Sequence, residues 1–531
     1  MLENFWKDKY PAGVSPEIDP DQYPNVLAVL KDSCQRFANK PAFTNLGKTL
    51  TYGDLYTLSG HFAAYLQKHS GLQPGDRIAI QMPNVLQYPI AVFGAMRAGY
   101  VVVNTNPLYT AREMLHQFND ADVKAIVILD ALTDKLATVI NDTSIKTVIV
   151  AAAVAEPTLQ EGQFSLNELI RQGERLAPLD AHQASRDDIA VLQYTGGTTG
   201  VAKAAMLSHG NILANAEQMN ERFDNILTPG QETGICPLPL YHIYAFTVNM
   251  IGLFGMGEAN LLIPNPRDLD SFVNAIKAVP FKGLAGINTL FVGLCQHPGS
   301  KDIDFSNLKI TLSGGAALTH SAAHLWEDVT GCAITEGYGL SETSPVVSFN
   351  VFGEEELGTV GKPLEQTQVA AWNEHNQPVS EGEVGELVVK GPQVMKGYWQ
   401  RDDETSKVMI DGWFKTGDMG LIQSNGNVKI VDRLKDMIIV SGFNVFPNEV
   451  EDVLSEHPAV MEAAVVGEAD EKTGEAVKAF VTVNESVTQD GLREYCREHL
   501  TNYKVPKHIE VLEELPKSTV GKILRRELRK R

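Results

Sequence analysis

Leu55, Leu58, Phe62 and Leu66 recur at three- and four-residue intervals, which puts their side chains on one face of a helix. The next apolar run, residues 77–82, is short, alternates in part and stops at Pro83-Asn84, so it predicts a strand. Further apolar runs at 100–103, 125–129, 147–151 and 189–193 are separated by helix-like segments. Repeated alternation of this kind predicts parallel sheets covered by helices on both faces. Beyond Asp432-Arg433-Leu434-Lys435 the grammar changes to a helix-like run at 448–456, strands at 463–466 and 479–483, and a helix-like run at 490–500. That mixed order fits an α+β module of about a hundred residues. The expected fold is therefore α/β: a large N-terminal domain of helix-covered sheets over 1–434, followed by a small C-terminal α+β domain over 435–531.

Residues 235–257 carry no Asp, Glu, Lys or Arg, a length that could span a bilayer. Pro237, Pro239, His242, Asn249, Gly252, Gly255 and Gly257 interrupt the stretch, so it predicts a loop followed by a buried helix. At 531 residues the chain has room for roughly three packed units. Its 45 basic and 66 acidic residues give a net charge of -21, which opposes binding to a phosphate backbone, so no nucleic-acid partner is expected. The basic cluster from Lys522 to Arg531 reads as a solvated helix end. Five scattered cysteines lack metal spacing, and the N-terminal residues lack the basic start and apolar run of a secretory signal, so a reduced, cytoplasmic protein is expected.

The strongest chemical signal follows the 189–193 strand: Tyr194-Thr195-Gly196-Gly197-Thr198-Thr199-Gly200-Val201-Ala202-Lys203. Glycines let backbone N–H groups approach an anion, threonines add hydroxyl donors and Lys203 adds a charge, which together suit a phosphate. Ala202 before Lys203 and Ala204 after it exclude a Walker A loop. A second segment, 336–345, offers close backbone approach at Gly337 and Gly339, a ring face at Tyr338 and a carboxylate at Glu342 suited to Mg²⁺. It is preceded by the turn-like Ser313-Gly314-Gly315-Ala316-Ala317. Thr416-Gly417-Asp418 places a carboxylate in a tight turn where it can accept from ribose hydroxyls, and 516–522 ends in a lysine beside a glycine. Each of these alone also reads as an ordinary turn or a solvated charge.

Together, and in this order, the segments resemble the adenylate-forming superfamily of acyl-CoA synthetases, firefly luciferase and peptide-synthetase adenylation domains. The stretches 411–418 and 431–442 are similar to the signature of fatty acyl-CoA synthetases. Residues 104–109, 265–268 and 441–449 are similar to bacterial long-chain enzymes. The resemblance implies activation of a medium-to-long-chain fatty acid by ATP with Mg²⁺ as cofactor, through an acyl-adenylate, and transfer to CoA with release of AMP and pyrophosphate. It implies ATP binding by Thr195, Gly196, Gly197, Thr198, Thr199, Gly200 and Lys203, with Thr198 and Glu342 on the metal. Gly315, Ala316, Glu336, Gly337, Tyr338, Gly339 and Ser341 would frame the adenine side, and Asp418, Arg433 and Asn444 would complete the nucleotide site. Lys522, Glu342 and His242 would be catalytic. Rotation of a mobile small domain about Lys435 would bring Ser441, Gly442 and Phe443 to CoA in place of the Lys522 loop.

Many relatives carry Gly where Ala204 stands and Thr where Ser341 stands; the second change keeps the hydroxyl. Phe246, Met250, Ile251, Phe254, Ile287, Leu290 and Val346 are candidates for an acyl channel, although each also reads as core. An aryl or other carboxylic acid, a carrier-protein thiol as acceptor, luciferase-like oxidation and a non-catalytic acyl-nucleotide binder remain alternatives. Lipid substrates would make transient peripheral contact with the inner membrane reasonable, and the sequence leaves the oligomeric state open.

Overall fold

The computed structural model describes the chain except residues 1–5, 7–8, 11–13, 16–17, 20–21, 177–181, 196–201 and 519–520. The predicted helix runs from Tyr52 to His69, started by a capping box in which Thr51 and Asp54 satisfy each other's backbone N–H groups. Leu55, Phe62 and Leu66 are buried along it. The predicted strands are present at Arg77–Gln81, Val101–Asn104, Val123–Leu129, Thr147–Ala151 and Ile189–Thr195. They lie in a seven-stranded sheet that is parallel except for its edge strand Lys203–Ser208, which returns antiparallel to Ile189–Thr195.

A nine-stranded sheet packs beside it, with parallel strands Thr233–Cys236, Ala259–Leu262, Gly283–Gly286, Ile310–Ser313 and Thr335–Gly339 near its centre. One continuous core joins the two sheets, with Ile78, Ile80 and Val191 from the first and Ile235, Leu261 and Leu284 from the second. The uncharged stretch begins as the strand Thr233–Cys236, crosses a loop and ends in a buried helix, as its interruptions predict. That helix is wound as a π-helix over Phe246–Leu253. Among the described residues, no helix is long and apolar enough to cross a membrane.

The alternation of helix and strand gave no sign of a third unit, a five-stranded antiparallel sheet between Gln368 and Arg433. Val369, Leu387 and Val389 carry the main core into it. The last sheet contains Ile438–Val440, Phe443–Val445, Val460–Asp470, Gly474–Val483 and His508–Val511, and encloses its own core with helices Pro447–Ser455 and Gln489–His499. The architecture is thus mixed α/β, with a large N-terminal assembly of sheets and helices and a smaller C-terminal α+β unit.

Candidate active site

The parallel strands of the nine-stranded sheet all point their carboxyl ends the same way, where ligands gather in open α/β sheets. The segments that follow them, carrying Leu238, His242, Ile287, Gly314, Gly315 and Ser341, line one cavity of about 1000 Å³. Thr195 and Lys203 enter it from the seven-stranded sheet, where they are cross-strand partners. Asp418 and Arg433 enter from the antiparallel sheet, and Lys522 from the C-terminal unit. Gly196, Gly197, Thr198, Thr199 and Gly200 lie outside the described residues; Thr195 and Lys203 on either side of them line the cavity.

Asp418 and Arg433 face each other across antiparallel strands, with Arg433 Nε 3.3 Å from Asp418 Oδ1. Tyr338 Oη donates to Asp418 Oδ2 at 2.6 Å, so ring and carboxylate are held as one unit. Gly337, Gly339 and Ser341 line the cavity beside them. A methyl on Gly339 would meet the Pro345 carbonyl, so glycine is needed there for packing. Glu342 accepts from Tyr398 Oη at 2.8 Å. Burial holds its carboxyl above the usual range despite that bond, and a cation there would offset the penalty. Among the described residues no group of three or more His, Cys, Asp or Glu side chains is suited to a metal.

Lys203 makes an ion pair with Glu404 at 2.8 Å and stands 4.6 Å above the Tyr398 ring. Tyr398, Arg401 and Glu404 line the cavity, and sequence reading missed all three. The segment carrying Tyr398 is pinned to the strand after the phosphate-type loop: Met206 N–H donates to the Gly397 carbonyl and Trp399 N–H to the Ala204 carbonyl, each at 2.9 Å. Ala204 itself is fully buried, so its methyl is part of the core beneath this segment.

Lys522 reaches the cavity on a loop closed by Ser518 N–H to the Lys522 carbonyl, 2.7 Å, and docked by Arg267 Nη2 on the Ser518 carbonyl, 2.9 Å. Gly521 has φ +78°, and a side chain there would press on Ile287. Burial, helped by Arg433, lowers the Lys522 amine from 10.5 to about 7. Burial, helped by Lys522, lowers His242 to about 4, so its imidazole is neutral at pH 7. His242 Nδ1 accepts from the Tyr244 N–H at 3.3 Å, which fixes the ring at the start of the helix.

Ala316 and Glu336 do not line the cavity. Glu336 lies behind the glycine turn, accepts from Leu318 N–H at 3.1 Å and is pushed up to about 8 by burial, so it braces the turn in protonated form near neutrality. Ser441, Gly442, Phe443 and Asn444 are exposed and do not line the cavity either. Phe443 instead stacks on Tyr503, with ring centroids 4.8 Å apart.

The cavity continues into an apolar limb lined by Met219, Phe223, Tyr244, Val248, Val346 and Phe349. Of the channel candidates only Ile287 and Val346 line it. Phe246, Met250, Ile251, Phe254 and Leu290 belong to the core, with Phe254 stacked on Tyr52 and Phe43. The helix presents Tyr244 and Val248, four residues apart, to the cavity and turns the row of Phe246, Met250 and Phe254 inward.

Residues 30–399 match the AMP-binding enzyme family, and residues 449–522 match the AMP-binding enzyme C-terminal domain. The chain belongs to the AMP-binding enzyme family. This AMP-binding enzyme is 44% identical to a long-chain-fatty-acid–CoA ligase of Escherichia coli O157:H7, over 99% of this chain and 98% of that protein. It is 39% identical to the enzyme of the same name from Bacillus subtilis, over 98% and 97%. Among solved structures it is similar to ATP-bound MatB from Rhodopseudomonas palustris, with a TM-score of 0.84 and 29% identity over 95% of this chain and 98% of that one.

Proposed function

We propose that the protein is an AMP-forming ligase that joins a long-chain fatty acid to CoA. The observation that carries this reading is one cavity in which Lys522, the Asp418–Arg433 pair and Glu342 meet an apolar limb. The near full-length similarity to long-chain-fatty-acid–CoA ligases supports the same substrate class. In the first step a carboxylate oxygen attacks the α-phosphorus of ATP. The bond from that phosphorus to the β-phosphate bridging oxygen breaks, and pyrophosphate leaves. In the second step the CoA sulfur, having lost its proton, attacks the acyl carbonyl, and AMP leaves with the electrons of the C–O bond.

Two anions must meet in the first step, so positive charge at the reacting atoms is the main requirement. Lys522 is the group we assign to the carboxylate and α-phosphate. Lys203, with residues 195–200, is assigned to the β- and γ-phosphates, where phosphate oxygens would displace Glu404 from its amine. Glu342, with Thr198, would hold a Mg²⁺ ion accompanying ATP, and the ion would supply shielding of phosphate charge. Asp418 accepts from ribose hydroxyls, Arg433 keeps that carboxylate oriented, and Tyr338 with the turn at Gly315 flanks the adenine. Neutral His242 stands where the acyl limb meets the polar part of the cavity and orients the carboxylate end of the acid.

The chain divides at Lys435 in this account, with 1–434 and 435–531 as the two bodies. Rotation there withdraws Lys522 and brings in Ser441, Gly442 and Phe443. The exposed Phe443 and the left-handed Ser441 and Gly442, at φ 51° and 85°, are suited to a loop that meets the CoA arm in a second arrangement. Incubation with Mg-ATP and hexadecanoate without CoA tests the first step. Isotope exchange from pyrophosphate into ATP that depends on the acid supports the reading, and no exchange with any acid overturns it.

A further inference from the structure

Arg525 lies three residues beyond Lys522 and is tied to it by the short bonded loop, in which Leu524 N–H also donates to the Pro516 carbonyl at 2.7 Å. Its guanidinium contacts Glu451 through Nε at 3.0 Å and Nη2 at 2.7 Å, Asn448 Oδ1 at 2.5 Å and Asp436 at 3.5 Å, all on the C-terminal side of Lys435. One further partner lies on the other side: Asp432 Oδ1, 3.3 Å from Nη1. Asp432 sits in the strand Val428–Arg433, hydrogen-bonded into the antiparallel sheet of the large assembly. Its second oxygen accepts from Asn448 N–H at 2.8 Å, and Asn448 Nδ2 donates to the Val431 carbonyl at 3.2 Å. The Asp432 side chain is 1% exposed.

We propose that Asp432 is a positioning residue, the fixed half of a clamp that holds Arg525 and Asn448 while Lys522 is seated, and that the clamp opens for thioester formation. The inference rests on the ligase reading and on rotation at Lys435. Rotation there keeps Arg525 with Glu451, Asn448 and Asp436 and parts it from Asp432 alone. Within the C-terminal unit Glu451 is held by two short bonds and Asn448 by one, which keep Arg525 with that unit, whereas Asp432 takes a single contact at 3.3 Å, comparable to that of Asp436 at 3.5 Å. Asp432 neighbours Arg433, so the clamp also sets the Lys522 loop in register with the strand that carries the nucleotide-facing residues.

The test is Asp432→Asn in the full chain, with the two half-reactions measured separately. Pyrophosphate release from Mg-ATP and hexadecanoate reports the first, and hexadecanoyl-CoA formation from supplied hexadecanoyl-adenylate reports the second. Adenylation is expected to fall about tenfold or more while the thioester step holds or quickens. Equal losses in both steps, the signature of a purely structural role, overturn the clamp, as does no change in either. If Asp432→Asn does not fold, Arg525→Lys, which keeps the charge and loses the fork, is read the same way. A native protein that carries out neither step sinks the ligase reading itself, whereas a native protein with both and an unchanged ratio in the variant sinks only the clamp.

Discussion

Lys522 is expected to take up a proton when substrate binds. Seated in its cavity, the amine has fallen from 10.5 to about 7, which corresponds to about 5 kcal/mol against the charged form. The unfolded chain therefore binds more protons than the folded one between these values. This burden on stability is fully present below pH 7 and is relieved as pH rises towards 10.5. At pH 8 about one amine in ten is charged in the free protein. An acyl-adenylate places an anionic phosphate beside it, raises its pKa and draws a proton from solvent. Mg-ATP together with a non-reactive alkyl alcohol places an anionic α-phosphate beside the amine without turnover and is the ligand pair for calorimetric titration. Titration at pH 8 in two buffers of different ionisation enthalpy should show nearly one proton taken up per site, and Lys522→Ala should abolish most of it. No uptake by the native protein, or the same uptake by Lys522→Ala, would refute the reasoning.

Glu342→Gln keeps the bond to Tyr398 within reach but removes the charge assigned to Mg²⁺, so adenylation should fall roughly a hundredfold and the Mg²⁺ concentration for half-maximal rate should rise; an unchanged Mg²⁺ dependence would remove Glu342 from the metal. Gly521→Ala strains a residue at φ +78° by about 1–2 kcal/mol and crowds Ile287, so adenylation should drop several-fold while thioester formation from supplied adenylate changes less. Val346→Phe should shorten the apolar limb, and each excluded methylene costs about 0.8 kcal/mol, close to a fourfold loss in kcat/KM for the longest acids with medium chains spared. A uniform loss across chain lengths would place the acyl tail elsewhere.

The motifs were legible because their composition carries local chemistry. The glycines and threonines after the Ile189–Thr195 strand and the residues flanking Asp418 advertise close backbone approach and hydrogen bonding wherever the chain takes them. The helix–strand alternation likewise marked the seven-stranded sheet, since parallel strands buried on both faces are continuously apolar. What pairs across sequence was not legible. Lys203 meets Glu404 and Glu342 meets Tyr398 only because the 396–399 segment lies along the strand at 203–208, and no local pattern announces that pairing. The channel candidates, which also read as core, divide between cavity and core for a related reason. Phe246, Met250 and Phe254 are the larger side chains, but the orientation of the helix sends them to the core, and Tyr244 and Val248 face the cavity. Residues 411–442 stood out as motif rather than as sheet, because glycines and charged side chains break the alternation of Trp413–Ile422.

This cavity is expected to make acyl-CoA from long-chain acids. Mass spectrometry of the products formed from Mg-ATP, CoA and a competing mixture of short, medium, long and aromatic acids tests it most directly. Long-chain acyl-CoA with an equal amount of AMP is the expected product; acyl-adenylate without thioester, or aromatic acyl-CoA as the main product, would exclude this activity.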